Sequence, residues 1–135
     1  MRTLGQERAE YALNEVLENK DKGIDKLKSF SAGAPTVILQ NGFGQAMAFW
    51  LSKGEDKHKF VFNSIKGWLT KKSFINSANN TGKSEEEFEF VKRLSELEQK
   101  EYLAAQKEAL LLLEWIKRYT SAFCEDSKNK EVENA

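Results

Sequence analysis

The sequence offers few side chains of the kinds that carry out catalytic or metal chemistry. It has one histidine, His58, which lies between Lys57 and Lys59, and one cysteine, Cys124. A catalytic histidine or cysteine needs a partner that orients or deprotonates it, and a structural metal site needs several His or Cys ligands at suitable spacing. The chain supplies no such companions, so we expect His58 to be a surface residue and Cys124 to take no part in catalysis.

Three consecutive glutamates, Glu85 to Glu87, are the remaining candidates for metal ligands. They directly follow Ser84, and a serine with a glutamate three residues later is the pattern of a capping box. The positive end of a helix dipole also favours acidic side chains at this position. The sequence therefore predicts a helix that starts at Ser84, and it predicts no metal site, no cofactor and no catalytic residue.

Residues 36–53, TVILQNGFGQAMAFWLSK, allow two interpretations. A strand, a glycine loop at 41–44 and a helix would cradle phosphates in a nucleotide enzyme, whereas one helix with two interior glycines would belong to a packed helical module. The stretch has no Gly-Lys-Ser/Thr and no Gly-x-Gly-x-x-Gly, and its apolar stripe keeps phase through Gly42 and Gly44. We predict one helix, with Pro35 in its first turn, although each interior glycine costs roughly 1 kcal/mol relative to alanine. A closely approaching neighbour would explain why the glycines are tolerated.

Helical periodicity extends over most of the rest of the chain. Pro35 is the only proline, which favours long uninterrupted helices, and residues 76–84 are expected to form a flexible polar loop. The predicted fold is all-α, a compact single-domain helical bundle of about five to six helices over residues 1–124, followed by a flexible tail at residues 125–135. Besides the segments above, helices are predicted at residues 3–20 with Thr3 as the cap, in a shorter piece around Ile24, Leu27 and Phe30 that ends at SAGAP, at residues 56–72, and from Tyr102 to Phe123 as the central helix.

The cellular setting is expected to be cytoplasmic. The N-terminal residues MRTLGQERAEYAL lack the apolar core of a signal peptide, and no apolar run approaches the ~20 residues of a membrane span. One cysteine cannot form an internal disulfide, which fits a reducing compartment. The match of Asn79-Asn80-Thr81 to a glycosylation acceptor is therefore interpreted as chance.

The charges balance overall, with 21 basic and 21 acidic residues, which argues against a strongly electrostatic nucleic-acid binder. Their distribution is uneven. Residues 53–72 carry six lysines against two acids, and residues 84–101 carry seven acids against three bases. A polarised molecule with one face suited to polyanions or acidic proteins is one interpretation, and ordinary solvated helix faces are the other.

Three segments together resemble a known family. GQERAEYAL near the start, PTVILQNGFGQAMAFWLSK in the middle and EALLLLEWIKRYTSAF near the end are similar to the small α-helical subunit of type III-B CRISPR RNA-silencing complexes, the Cmr or RAMP module. The sequence departs from the family pattern at Leu4-Gly5 and in SFSAGA before Pro35. Positions that match the family's recurrent motifs are Asn41, Gly42, Gln45, Lys53, Trp115, Lys117 and Arg118.

The resemblance implies a non-catalytic structural subunit whose copies stack beside the backbone of the effector complex, where guide RNA pairs with target RNA. It implies as partners the backbone and large subunits, further copies of the chain, and both RNAs, with no membrane and no cofactor. A helical adaptor that binds only protein is the alternative, and a strand-loop-helix enzyme is the third possibility. The predicted RNA- or partner-binding residues are Asn41, Gln45, Lys53, Lys57, Lys117 and Arg118.

Overall fold

The computed structural model describes residues 1–76 and 83–126, with side chains described from residue 87 in the second range. Within these ranges the chain forms six α-helices and no β-strand, which confirms the predicted all-α bundle. The segment at 77–82, with its Asn79-Asn80-Thr81 match, and most of the predicted tail lie outside the described residues. The helices are α1 (Leu4–Asn19), α2 (Leu27–Asn41), α3 (Phe43–Lys53), α4 (Asp56–Lys71), α5 (Lys83–Glu96) and α6 (Gln99–Phe123).

Helix α1 is capped by Thr3, as its sequence predicts, and Gln6 completes a reciprocal arrangement. Thr3 Oγ1 accepts a hydrogen bond from the Gln6 backbone N–H at 3.1 Å, and Gln6 Oε1 accepts one from the Thr3 backbone N–H at 2.9 Å. This reciprocal pair satisfies two donors that the first turn of a helix would otherwise leave free. Helix α5, in contrast, begins at Lys83, one residue before the predicted start.

Helix α2 corrects two predictions, because the chain does not break at SAGAP and Pro35 is not in a first turn. One helix runs from Leu27 to Asn41 with Pro35 in its interior. An interior proline removes the bond to the carbonyl of residue i−4, here Ser31, and costs about 3 kcal/mol. Ser31, Ala34 and Ile38 are at most 1% exposed, so burial of this face against the core offsets the loss.

The junction between α2 and α3 corrects both interpretations of residues 36–53. Thr36 to Gln40 are helical, so there is no strand, and the predicted single helix is interrupted at Gly42, whose φ is 89° and ψ 156°. Gly44 lies inside α3 and donates its backbone N–H to Tyr102 Oη at 2.8 Å. The apolar stripe keeps its phase because the break occupies a single residue, and α3 buries Phe43 and Trp50 after it.

Helix α6 is the centre of the bundle, as predicted, and it packs against α1, α2 and α4. Asp126, just past the end of α6, accepts hydrogen bonds from the backbone N–H groups of Lys28 and Ser29 at 3.0 and 3.2 Å. Tyr102, in the first turn of α6, reaches Gly44 beyond the other end of α2. Helices α2 and α6 therefore run antiparallel. The ring contact between Phe30 and Trp50, 6.2 Å between centroids, shows that α3 runs back along α2.

Candidate nucleic-acid interface

The fold brings three of the six predicted binding residues to one end of the bundle, around the first turn of α2. Lys57 Nζ lies 5.7 Å from the centroid of the Phe30 ring, which belongs to that turn. On the other side of the turn, Lys117 and Lys28 line a common groove of about 500 Å³. Lys53 precedes Lys57 by four residues, at the end of α3. The three predicted lysines, Lys53, Lys57 and Lys117, come from three helices, so their location at one end of the bundle depends on the tertiary fold.

Lys53 and Lys57 are held near each other by a tight connection between α3 and α4. Gly54 ends α3 with φ at 68° and its N–H bonded to the Trp50 carbonyl at 3.1 Å, and α4 begins at Asp56. A left-handed residue at this position is the usual way to end a helix, and glycine adopts it without strain. Lys57 Nζ also lies 3.7 Å from Glu55 Oε1. The connection therefore presents two ammonium groups together with the carboxylates of Glu55 and Asp56, which partly compensate their charge.

The groove beside Lys117 contains a carboxylate from the chain itself. Lys26, before α2, is in the left-handed region with φ at 60° and forms no side-chain cap. Asp126 takes over this role by accepting the Lys28 and Ser29 backbone N–H groups. An acidic group is favoured there by the positive end of the α2 dipole. The groove thus has both cationic and anionic sides.

Arg118 is exposed but lies on a different side of α6 from Lys117. Consecutive residues of an α-helix are separated by about 100° around its axis. Arg118 is therefore turned toward the flank of Trp115, which is 38% exposed and stacks on Tyr119 with 5.5 Å between ring centroids. Lys117 and Arg118 therefore project from α6 in different directions.

The two predicted amide residues lie toward the opposite end of the bundle from the lysines. Asn41 is the last residue of α2, and its Nδ2 donates to the Val37 carbonyl at 3.2 Å. At a rise of 1.5 Å per residue it is about 20 Å along α2 from Lys28. Gln45, exposed in α3, is about 12 Å from Lys53 by the same measure. The fold does not bring Asn41 and Gln45 to the lysines.

His58 is buried, which corrects the prediction that it is a surface residue. It is 5% exposed, and its ring lies edge-on to Phe30 at 4.9 Å and to Phe49 at 6.5 Å between centroids. Burial lowers the pKa of His58 because it disfavours the charged imidazolium. The sequence contained the signal, since His58 precedes the buried residues Val61 and Phe62 by three and four positions.

A buried ion pair that the sequence analysis did not identify joins three helices. Arg8, on α1, binds Glu108, on α6, through Nε and Oε2 and through Nη2 and Oε1, the latter at 3.0 Å. Trp68, on α4, donates its indole N–H to Glu108 Oε2 at 2.8 Å. Glu108 lies three residues after buried Ala105 and four before buried Leu112, so its helical phase could have indicated burial.

The described residues show no arrangement suited to a metal ion or to a reactive thiol. No group of three or more His, Cys, Asp or Glu side chains in this part of the chain could hold a metal. Cys124 is buried, and burial raises the pKa of its thiol, which disfavours the nucleophilic thiolate. None of the helices described is long and apolar enough to cross a membrane.

Comparisons with known proteins agree with the fold. The family model described as CRISPR-associated protein (Cas_Cmr5) matches residues 4–123. The CRISPR system Cmr subunit Cmr5 of Thermus thermophilus is 28% identical over 127 residues, which cover 93% of this chain and 100% of the relative. The crystal structure of a CRISPR-associated Cmr5 family protein, also from Thermus thermophilus, superimposes with a TM-score of 0.73 at 28% identity, over the same shares of the two chains. The resemblance seen in the three sequence segments is confirmed, and the chain belongs to the Cmr5 family of CRISPR-associated proteins.

Proposed function

We propose that this protein is a non-catalytic small subunit of a type III-B CRISPR Cmr effector complex in the cytoplasm, and that it contacts guide or target RNA. The Thermus thermophilus relative carries the name of a Cmr subunit, and its whole length corresponds to this chain. In this proposal, copies of the subunit stack along the backbone of the complex while other subunits cleave RNA. Its partners are the backbone and large subunits, other copies of itself, guide RNA and target RNA.

The observation that carries the RNA contact is the convergence of lysines around the first turn of α2. Lys57 lies on one side of this turn and Lys117 on the other, with Lys53 at the adjoining end of α3. Lysines neutralise backbone phosphates without reading base sequence. That property suits a subunit that must accept any guide sequence.

Acidic groups at the edge of this surface limit the affinity that we expect it to have for RNA. Glu55 lies beside Lys57, and Asp126 occupies the groove that Lys28 and Lys117 line. These carboxylates reduce the local positive charge, so a single copy is expected to bind RNA weakly and in a salt-dependent manner. Several copies held side by side in a complex would add their contacts through a high effective concentration.

Replacing Lys53, Lys57 and Lys117 together with alanine tests the contact in a reconstituted complex. Each phosphate contact with a single strand contributes about 0.7 to the slope of log Kobs against log salt concentration. The triple variant is therefore expected to bind target RNA more weakly and to lose about 2 units of that slope for each copy that contacts the RNA. Filter retention of labelled target RNA over a salt series measures both quantities.

A triple variant of equal charge change provides the matched control. Lys71, Lys100 and Lys107 are exposed and lie on other parts of the bundle, and their replacement with alanine is expected to leave the salt slope nearly unchanged. Equal effects of the two triple variants would contradict a localised contact. RNA binding that neither variant changes, with salt-tolerant association to the other subunits, would favour the alternative of a helical adaptor that binds only protein.

A further inference from the structure

Four aromatic side chains meet at the junction of α2, α3 and α4, next to the lysines. Phe30 contacts Trp50 and His58 at centroid distances of 6.2 and 4.9 Å, and His58 also meets Phe49 at 6.5 Å with an interplanar angle of 87°. Trp50 and His58 are 0% and 5% exposed, whereas Phe49 is 47% exposed. The cluster therefore has a buried interior, a half-buried ring at Phe30 and its most exposed member at Phe49.

Lysines accompany the two outer rings of this cluster. Lys53 Nζ lies 5.6 Å from the centroid of Phe49, and Lys57 Nζ lies 5.7 Å from that of Phe30. A lysine four residues after an aromatic on the same helix stays on the same side of it. The exposed ring of Phe49 thus has the ammonium group of Lys53 beside it, and Lys57 lies at the neighbouring ring of Phe30. Lys53 is carried on a flexible stem, so its ammonium group can move from the ring to a nearby anion.

The geometry points to Phe49 as a stacking site for an unpaired base of single-stranded RNA, with Lys53 and Lys57 contacting the phosphates on either side. This inference rests on the proposed RNA contact, and it specifies that this part of the surface binds single-stranded RNA. Proteins that bind single strands combine cationic side chains along the backbone with aromatic rings on which bases stack. A paired base within a duplex has both of its faces covered by its neighbours, so an exposed ring favours a base that is free to leave the stack.

The surroundings of Phe49 suit stacking because they limit the freedom of its ring. His58 abuts the ring edge-on from the buried side, and His58 is itself packed against Phe30. A side chain that is already ordered loses less entropy when a ligand binds to it. Glu55 partly offsets the charge of Lys57, but Lys53 and Lys57 still give this surface cationic groups that a purely apolar docking surface for protein would lack.

Two RNA probes of equal length and charge separate stacking from phosphate contact. One is an oligoadenosine, and the other is the same strand with abasic sugars, which keeps the phosphates and removes the bases. We expect the full-length protein to bind the oligoadenosine about tenfold more tightly, the size of one base–aromatic stack. In Phe49→Ala the ratio of the dissociation constant for the abasic strand to that for the oligoadenosine is expected to fall to about one. Phe49→Trp should keep the ratio of the wild type. Phe49→Leu repeats the test with more of the apolar volume retained.

The matched control is Phe88→Ala on α5. Phe88 is 65% exposed, and its chain neighbours are Glu87 and Glu89, so its loss is expected to leave the ratio unchanged. Thermal melting of each variant confirms that the bundle remains folded, which is expected because both phenylalanines are on the surface.

The outcomes distinguish this inference from the proposed function on which it rests. A ratio that persists in both Phe49→Ala and Phe49→Leu would overturn stacking, even where the triple lysine variant weakens binding of both probes and so supports the RNA contact. Loss of association with other subunits at an unchanged ratio would also overturn it and would indicate a protein partner at Phe49. Failure of the wild-type protein, alone and in the complex, to retain either probe would overturn the RNA contact and the stacking together.

Discussion

The buried pair of Arg8 and Glu108 has a role that neither residue could have in isolation. Arg8 is 9% exposed and Glu108 is 4% exposed, and removing two charges from water costs several kcal/mol per ion. The cost is offset only where the hydrogen-bonding groups are satisfied. Here both carboxylate oxygens accept from Arg8, and Trp68 adds a third donor. The pair therefore fixes the relative positions of α1, α4 and α6 and contributes little net stability compared with apolar packing.

A variant that lacks only one partner should show how far the buried charge of Arg8 depends on Glu108. Glu108→Ala leaves the Arg8 guanidinium buried without a counter-charge, and we expect the free energy of unfolding to fall by about 3–5 kcal/mol. Arg2→Ala, which breaks the exposed pair of Arg2 and Glu10, should cost less than about 1 kcal/mol. Urea unfolding followed by circular dichroism measures both. If the two variants lost equal stability, the buried pair would have no special role.

His58 gives the protein a pH dependence whose sign follows from its burial. The pKa of His58 is lowered first by burial; Glu55 opposes this effect, and Lys57 and Lys53 add to it. Between the lowered pKa of the folded state and the ordinary value of about 6.5, the unfolded chain binds more protons. The free energy of unfolding therefore rises with pH in that window. The contribution of His58 to the free energy of unfolding is fully present above about pH 6.5, and it is lost as the pH falls through the folded-state pKa.

Comparison of the wild type with His58→Gln isolates this contribution, because the other titrating groups are common to both proteins. Urea unfolding at about pH 7.5 and about pH 5.5 should show a greater loss of stability on acidification in the wild type than in the variant. An equal loss in the two proteins would mean that His58 is protonated as readily in the folded state as in the unfolded one.

Among the elements, the break between α2 and α3 depends on the backbone of Gly42 and not on close packing. A φ of 89° with a ψ of 156° belongs to a region that only glycine adopts without strain. A Cβ built at Gly42 would meet no atom within 4 Å, so the expected reason for the glycine, a closely approaching helix, is wrong for this residue. Gly44 is closer to that expectation, since its Cβ would lie 3.4 Å from Tyr102 Oη.

Two glycine substitutions with opposite expected signs test this account. Gly42→Ala should lower the free energy of unfolding by about 1–3 kcal/mol through backbone strain. Gly33→Ala, inside α2, also adds a methyl group where nothing lies within 4 Å, and it should raise stability by up to about 1 kcal/mol through helix propensity. Thermal melting of the two variants gives the comparison. A neutral or stabilising Gly42→Ala would show that the junction can adopt an ordinary helical conformation.

The elements also show which features the sequence could predict. Periodicity located α4 and α6 and most of their buried residues, because an apolar stripe directly reports which face is covered. It could not show that α2 continues through Pro35, since burial of Ala34 and Ile38 outweighs the local preference to end the helix. Nor could it locate the break at Gly42, because a one-residue interruption leaves the stripe in phase.

The candidate interface was predictable to a similar extent. Lys53 and Lys57 are four residues apart across a glycine, so local sequence was enough to place them together. Lys117 joins them only because α2 runs antiparallel to α6, which is a tertiary property. Asn41 and Gln45 lie on either side of the chain reversal at Gly42. This reversal places them toward the opposite end of the bundle from the lysines, and it is also a tertiary property.

At the scale of the whole molecule, stability is unevenly distributed between the centre and the periphery. Helix α6 packs against α1, α2 and α4, and Leu112, Leu113 and Ile116 on it are 0% exposed. Helix α5 packs mainly against α3, and among its described side chains only Phe90 and Leu94 are buried. An element with few buried apolar contacts can open while the rest stays folded. The bundle should therefore have a cooperative centre built on α6 and a less stable edge at α5.

Native-state hydrogen exchange at low urea concentrations can detect this difference. Amides around Leu112 are expected to exchange only through global unfolding, with a steep dependence on urea, whereas α5 amides should exchange faster and with a shallow dependence. Leu94→Ala should speed exchange in α5 and leave α6 nearly unchanged, because it destabilises only the local unit. Leu112→Ala, at a cost of about 2–5 kcal/mol, should speed exchange throughout the bundle. If α5 amides shared the steep urea dependence of α6, the six helices would unfold as one unit, and the edge of the bundle would be as stable as its centre.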